Sequence, residues 1–214
     1  MRKKVRASIR PTGQTLTLTK IDAAQAQLKA GVRMYFENEH IATVFTLANA
    51  VREVVGQIGE HLKIETTQRE MADFRGVTVD ELVRRLKNIA NFLKHADRDP
   101  AAAIALEDDA VELVLLYTCH DFGRVAEGMP IEAQVFETWI YAAATERVSK
   151  APLRQQQQIR NMIRAFPGLR AASTRAEQKR IGLQIMERAL KNKSLEMAIR
   201  REVPAKPKSA RPEK

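Results

Sequence analysis

Residues Glu39–Leu62 read EHIATVFTLANAVREVVGQIGEHL. Ile41, Val44, Phe45, Leu47, Ala48, Val51, Val54, Val55 and Ile58 recur with a period of about 3.6 residues, which makes the stretch a helix with an apolar face turned to a core. Gly56 and Gly59 are placed where a neighbouring helix can approach closely. On its N-terminal side, Ile21 to about Glu37 repeats the pattern through Ile21, Ala24, Leu28, Val32 and Tyr35 or Phe36, with Asp22 in the first turn where the helix dipole favours an acid. On its C-terminal side the polar stretch 63–76 reads as a loop.

The same periodicity continues. Thr78 and Glu81 form a capping box opening a third helix, whose stripe is Val79, Leu82, Val83, Leu86, Ile89 or Ala90, and Leu93. It stops near His95-Ala96, because Asp97–Pro100 supplies a cap and a proline for a fourth helix over about Pro100–Asp121. A fifth is expected from Ile131 to Val148, with Phe136, Trp139, Ile140 and Ala143 facing inward. Beyond it, Leu153–Phe166 reads as a short helix broken by Pro167-Gly168, and a capping box at Thr174 and Glu177 opens a helix to about Arg200. The fold class is therefore all-α, an antiparallel bundle of four or five helices with a basic helical C-terminal extension. The expected divisions are a basic disordered arm at 1–19, the bundle at 20–148, the extension at 149–202 and a disordered tail at 203–214.

Composition agrees. Nine Gly and eight Pro in 214 residues are too few for an all-β chain, which needs frequent turns. One cysteine, Cys119, leaves no internal disulfide and points to a reducing compartment, the cytoplasm. No apolar run reaches the roughly 18 residues of a membrane span, and Met1–Lys20 carries no apolar core of a secretory signal. The net charge of +10 is uneven: residues 1–10 carry +5, residues 11–148 carry −7 and residues 149–214 carry +12. A mildly acidic body with two basic ends suits a polyanion, because each Lys or Arg set on a phosphate releases condensed counterions. The same ends would also suit the acidic body of a second copy, making a homo-oligomer.

Ala90–Pro100, ANFLKHADRDP, is the densest polar segment. Asn91 and His95 are four apart and share a helical face. His95 supplies an imidazole able to give or take a proton, and Lys94 or Arg98 beside it could stabilise a phosphate's charge. The alternative is capping and backbone hydrogen bonding by the same groups. The second candidate is the basic extension, where Arg154, Arg160, Arg164, Arg170, Arg175, Lys179 and Arg180 form a polyanion-facing set, with Gln155–Gln158 able to bond phosphates or bases. Phe166 is the only ring after Tyr141, so contacts there would be electrostatic rather than stacking. Glu37-Asn38-Glu39-His40 has the Glu-x-x-His spacing of a di-iron ligand pair without a second copy, and Cys119-His120-Asp121 faces three ways on a helix, so no metal and no cofactor is expected. Phosphate-loop and dinucleotide-binding glycine patterns are absent from the sequence.

Lys20–Ala24 (KIDAA), Thr46–Ala50, Ala90–Pro100, Cys119-His120 and the helix holding Phe136 and Trp139 resemble a family of uncharacterised bacterial proteins with KIDAA-type and ANFxKHADRDP-type segments, over about residues 20–145. More distantly, a helical bundle with a polar Asn…His helix is similar to the HEPN superfamily. Many HEPN proteins are metal-independent ribonucleases with an Arg-x(4–6)-His motif, in which His and Arg activate the ribose hydroxyl and stabilise the phosphorane. Here that arginine would fall at Asn88, Ile89 or Ala90; Arg85 lies further back and Arg98 on the other side of His95. The resemblance thus implies either a ribonuclease acting through His95, Asn91, Lys94 and Arg98, or a non-catalytic relative that engages nucleic acid, RNA before DNA, through its basic ends. The competing expectation is a non-enzymatic oligomeric protein whose extension binds a protein partner.

Overall fold

The computed structural model describes residues 16–95, 100–143, 160–161 and 163–192. Among these, regular structure is helical throughout: α1 Lys20–Phe36, α2 Ile41–Leu62, α3 Gln68–Arg75, α4 Val79–Lys94, α5 Asp108–Val125, α6 Ile131–Ala143 and α7 Arg175–Lys191. No helix among them is long and apolar enough to cross a membrane.

Local chemistry sets the ends. Thr19 and Asp22 close a full capping box on α1, the Thr19 hydroxyl accepting from Asp22 N and the Asp22 carboxylate accepting from Thr19 N. At Thr78 and Thr174 only half of the expected box forms. Each hydroxyl accepts from the third residue on, but Glu81 turns to Arg84 and Arg85, and Glu177 accepts from Ser173 N. Three helices finish alike. Asn38, Lys63 and Gly76 take left-handed φ of 59°, 58° and 65°, and the following N–H reaches back to the carbonyl five residues earlier: Glu39 to Met34, Ile64 to Gly59, Val77 to Ala72.

The centre is built from α1, α2, α5 and α6. Consecutive helices run antiparallel, with Gly31 on α1 against Leu47 on α2, and His120 on α5 against Glu137 on α6. The α2–α5 pair differs from the expected antiparallel order. Thr118 donates to Ala48 O (3.4 Å), and Val125 lies 3.5 Å from where a Gly59 β-carbon would stand, so the two helices ascend together. Their connection must cross the length of the bundle, and α3 and α4 make that crossing. Leu28, Val32, Val44, Phe45, Val51, Val55, Leu115 and Phe122 are sealed between the four central helices. At one end, Tyr35, Phe36, Phe136 and Trp139 meet edge-on or stacked with ring centroids 5.2–6.1 Å apart.

Several expected boundaries move. The loop expected at 63–76 contains α3, whose Met71 and Ala72 are buried. The helix expected from Pro100 begins at Asp108: the alanines at 101–103 have strong helix propensity but are exposed and pack on nothing. The basic extension is not separate from the bundle. Its helix α7 packs on α1 and α6, burying Met186 and Ala189. The expectations for the arm at 1–15, for 144–159 and for 193–214 fall outside the described residues.

Candidate nucleic-acid interface

Asn91, Lys94 and His95 are exposed at the C-terminal end of α4, and Arg98 lies outside the described residues. His95 is the C-cap, its backbone N–H donating to Asn91 O (2.9 Å). The structure brings Asn91 and His95 to one end of α4 but encloses neither. What it shows is a solvent-facing polar helix end.

The basic extension splits in two. Arg160, Arg164, Arg170 and Arg180 are exposed, and Arg154 lies outside the described residues. Arg175 and Lys179 turn inward, which corrects their assignment to a polyanion-facing set. Lys179 is 1% exposed; its Nζ donates to Asp108 Oδ2 (3.1 Å) and Asn38 Oδ1 (3.2 Å) and stands 4.3 Å from the Tyr35 ring centroid. The Arg175 guanidinium lies 4.3 Å over the Trp139 ring and forks onto both carboxylate oxygens of Glu112, which also accepts from the Tyr35 hydroxyl. Burial alone would lower the Arg175 pKa, but the Glu112 hydrogen bonds overturn that and hold it above its ordinary value. Burial, reinforced by Glu112, likewise holds the Tyr35 phenol protonated far beyond its usual range. Trp139 Nε1 donates to Gln178 O (2.9 Å), so the indole is sealed on its polar side too. A cation at 175 or 179 moved to a phosphate would break its pairing with Glu112 or Asp108.

The signal for this inward turn is present in the sequence. The buried residues of α7 are Lys179, Gly182, Met186 and Ala189. Counting back from Met186 at helical spacing reaches Gly182, then Lys179, then Arg175, so the cations continue the apolar stripe.

The outward set extends beyond the expected residues. Arg188 and Lys191 are exposed and share the Arg180 side of α7. None of Arg160, Arg164, Arg170, Arg180, Arg188 and Lys191 forms an ion pair among the described residues. The only acids at 160–192 are engaged elsewhere, Glu177 by Ser173 and Glu187 by Arg33 at 4.0 Å.

The remaining candidates resolve into structural contacts. Cys119 is fully buried and burial pushes its thiol pKa well up; His120 Nε2 meets Glu137 Oε1 at 2.9 Å; Asp121 Oδ1 accepts from Thr67 N at 2.7 Å. His40 caps α2, its Nδ1 accepting from Ala42 N, and Glu37 pairs with Arg33. Among the described residues no three His, Cys, Asp or Glu side chains converge as a metal site requires. Comparison of the chain with protein-family models, with curated proteins and with solved structures gives no match.

Proposed function

We propose that this chain is a helical-bundle protein that binds nucleic acid through its phosphates, in the cytoplasm, without cleaving it. One observation carries this reading: the described cations of the C-terminal segment divide into two that pair with carboxylates of the bundle, Lys179 buried and Arg175 half-buried, and six that stand exposed with no carboxylate partner among the described residues. A charge set without ion-pair partners among the described residues is available to an external polyanion. The alternative is a non-enzymatic oligomeric protein whose extension binds a protein partner, an arrangement that the packing of Met186 and Ala189 on the chain's own bundle does not require. His95 stands on an exposed helix end rather than in an enclosed pocket, which favours binding over catalysis. Phosphate contacts do not choose between RNA and DNA.

The test measures full-length chain against a generic RNA and a generic duplex DNA across a salt series, beside the variant Arg164→Gln, Arg170→Gln, Arg180→Gln, Arg188→Gln. The wild type should bind with a steep salt dependence, and the variant should lose roughly one unit of slope per cation that met a phosphate. No binding at low salt, or an unchanged slope in the variant, overturns the reading. RNA should stay intact throughout; cleavage abolished by His95→Ala would overturn the non-catalytic part alone.

A further inference from the structure

α3 lies within a polar stretch that the sequence presents as a loop, and its presence changes what α4 can be. α3 is eight residues long and ends at Arg75; Gly76, Val77 and Thr78 connect it to the 16-residue α4. The connection is fixed at every residue. Gly76 takes a left-handed φ of 65°, which a side chain would strain, and its N–H donates to Asp73 O (3.1 Å). Val77 donates to Ala72 O (3.0 Å) and packs on the core, and the Thr78 hydroxyl caps α4 by accepting from Glu81 N. Helix, three-residue turn with glycine, longer helix is the connectivity of the helix-turn-helix unit, whose second helix enters the major groove of DNA.

α4 is amphipathic, with its two acids, Asp80 and Glu81, confined to the first turn. Leu82, Leu86 and Ala90 are buried, fixing the helix against α2 and α3. The outer face presents Arg84, Lys87, Asn88, Asn91, Lys94 and His95, all exposed. From Leu82 to His95 the helix carries four cations and no carboxylate. Glu81 gathers Arg84 and Arg85 at 2.7–2.9 Å, exposed pairs that exchange for phosphate at little cost. A helix is about 10–12 Å across, the width of a B-form major groove at about 12 Å. Carboxamides such as Asn88 and Asn91 match adenine's N6 and N7, and an arginine or lysine matches guanine's O6 and N7. On α3, Arg69 and Arg75 are exposed where the first helix of such a unit crosses the phosphate backbone.

We propose that α3, the Gly76–Thr78 turn and α4 form a helix-turn-helix unit whose α4 outer face reads base edges in the major groove of duplex DNA. This rests on the nucleic-acid reading above and adds sequence selectivity and a preferred duplex to it. A-form RNA is disfavoured at this surface because its major groove is too deep and narrow for a helix.

The test selects full-length chain on a pool of random-sequence DNA duplexes and compares the enriched duplex with a scrambled one. The enriched duplex should bind at least tenfold more tightly. Asn88→Ala with Asn91→Ala should collapse that ratio to within about threefold while leaving the melting temperature and the affinity for scrambled duplex unchanged. Absence of enrichment, or a ratio that survives both Asn substitutions, overturns the inference, while salt-dependent binding that depends on the C-terminal arginines leaves the broader reading standing. A loss on Asn88→Ala and Asn91→Ala seen only with an RNA hairpin overturns the assignment to duplex DNA. Failure of every nucleic acid to bind overturns both.

Discussion

Lys63 ends α2 in the left-handed conformation that Gly76 adopts at the end of α3 and Asn38 at the end of α1. For a residue with a β-carbon that conformation costs about 1–2 kcal/mol; glycine avoids it, and asparagine tolerates it better than lysine does. Lys63 is exposed and forms no ion pair among the described residues, so nothing offsets the strain. Lys63→Gly should therefore stabilise the protein by about 1 kcal/mol and raise its melting temperature by about 2–4 °C. Asn38→Gly should give no such gain, because the Asn38 carboxamide accepts from buried Lys179. A thermal melt of both variants checks the pair; a Lys63→Gly melt at or below the wild type removes the argument.

The docking of α7 turns on one close approach. A β-carbon on Gly182 would fall 2.6 Å from Phe36 Cδ1 and closer still to Cε1, inside a ring that is 2% exposed. Alanine is the better helix former by about 0.5–1 kcal/mol, yet Gly182→Ala should destabilise by about 1–3 kcal/mol because the Phe36 ring has packed aromatic neighbours and cannot yield. Gly56→Ala is the control, since its nearest neighbour, Gln68 Nε2, is 3.8 Å away and its helix should gain. Denaturant unfolding of the two variants should move in opposite directions. Elements that bury a regular apolar stripe, α1, α2, α4 and α6, are legible in the sequence because periodicity alone specifies them. α3 is not, since its eight residues hold only Met71 and Ala72 as buried anchors among charges, and its existence follows from Asp121 and Tyr117 holding Thr67 at its start. The outward cations of the candidate interface are legible as charge. Which cations face inward is not legible from charge, which carries no helical phase; it is legible only from the spacing of Arg175 and Lys179 on the stripe of Gly182 and Met186.

For the whole molecule, the consequence is that α7 belongs to the bundle rather than trailing from it. Tyr35, Phe36 and Trp139 are at most 2% exposed with α7 in place, and burying one aromatic side chain is worth about 1.5–3 kcal/mol. Losing part of that cover from three rings removes a sizeable fraction of the roughly 5–15 kcal/mol by which domains are stable. A chain ended at residue 148 should therefore bind a hydrophobic dye and lose cooperative unfolding; melting within a few degrees of the full chain would show α7 to be dispensable. For this reason the nucleic-acid test above neutralises surface cations instead of deleting the segment that carries them. The pairing of α7 with α1 also orders events in time. During synthesis at roughly 5–20 residues per second, the ribosome adds Trp139 some 50 residues before Lys191, so the aromatic end of the nascent bundle waits about 3–10 s for its cover. Over that interval the uncovered rings are a surface that chaperones can engage.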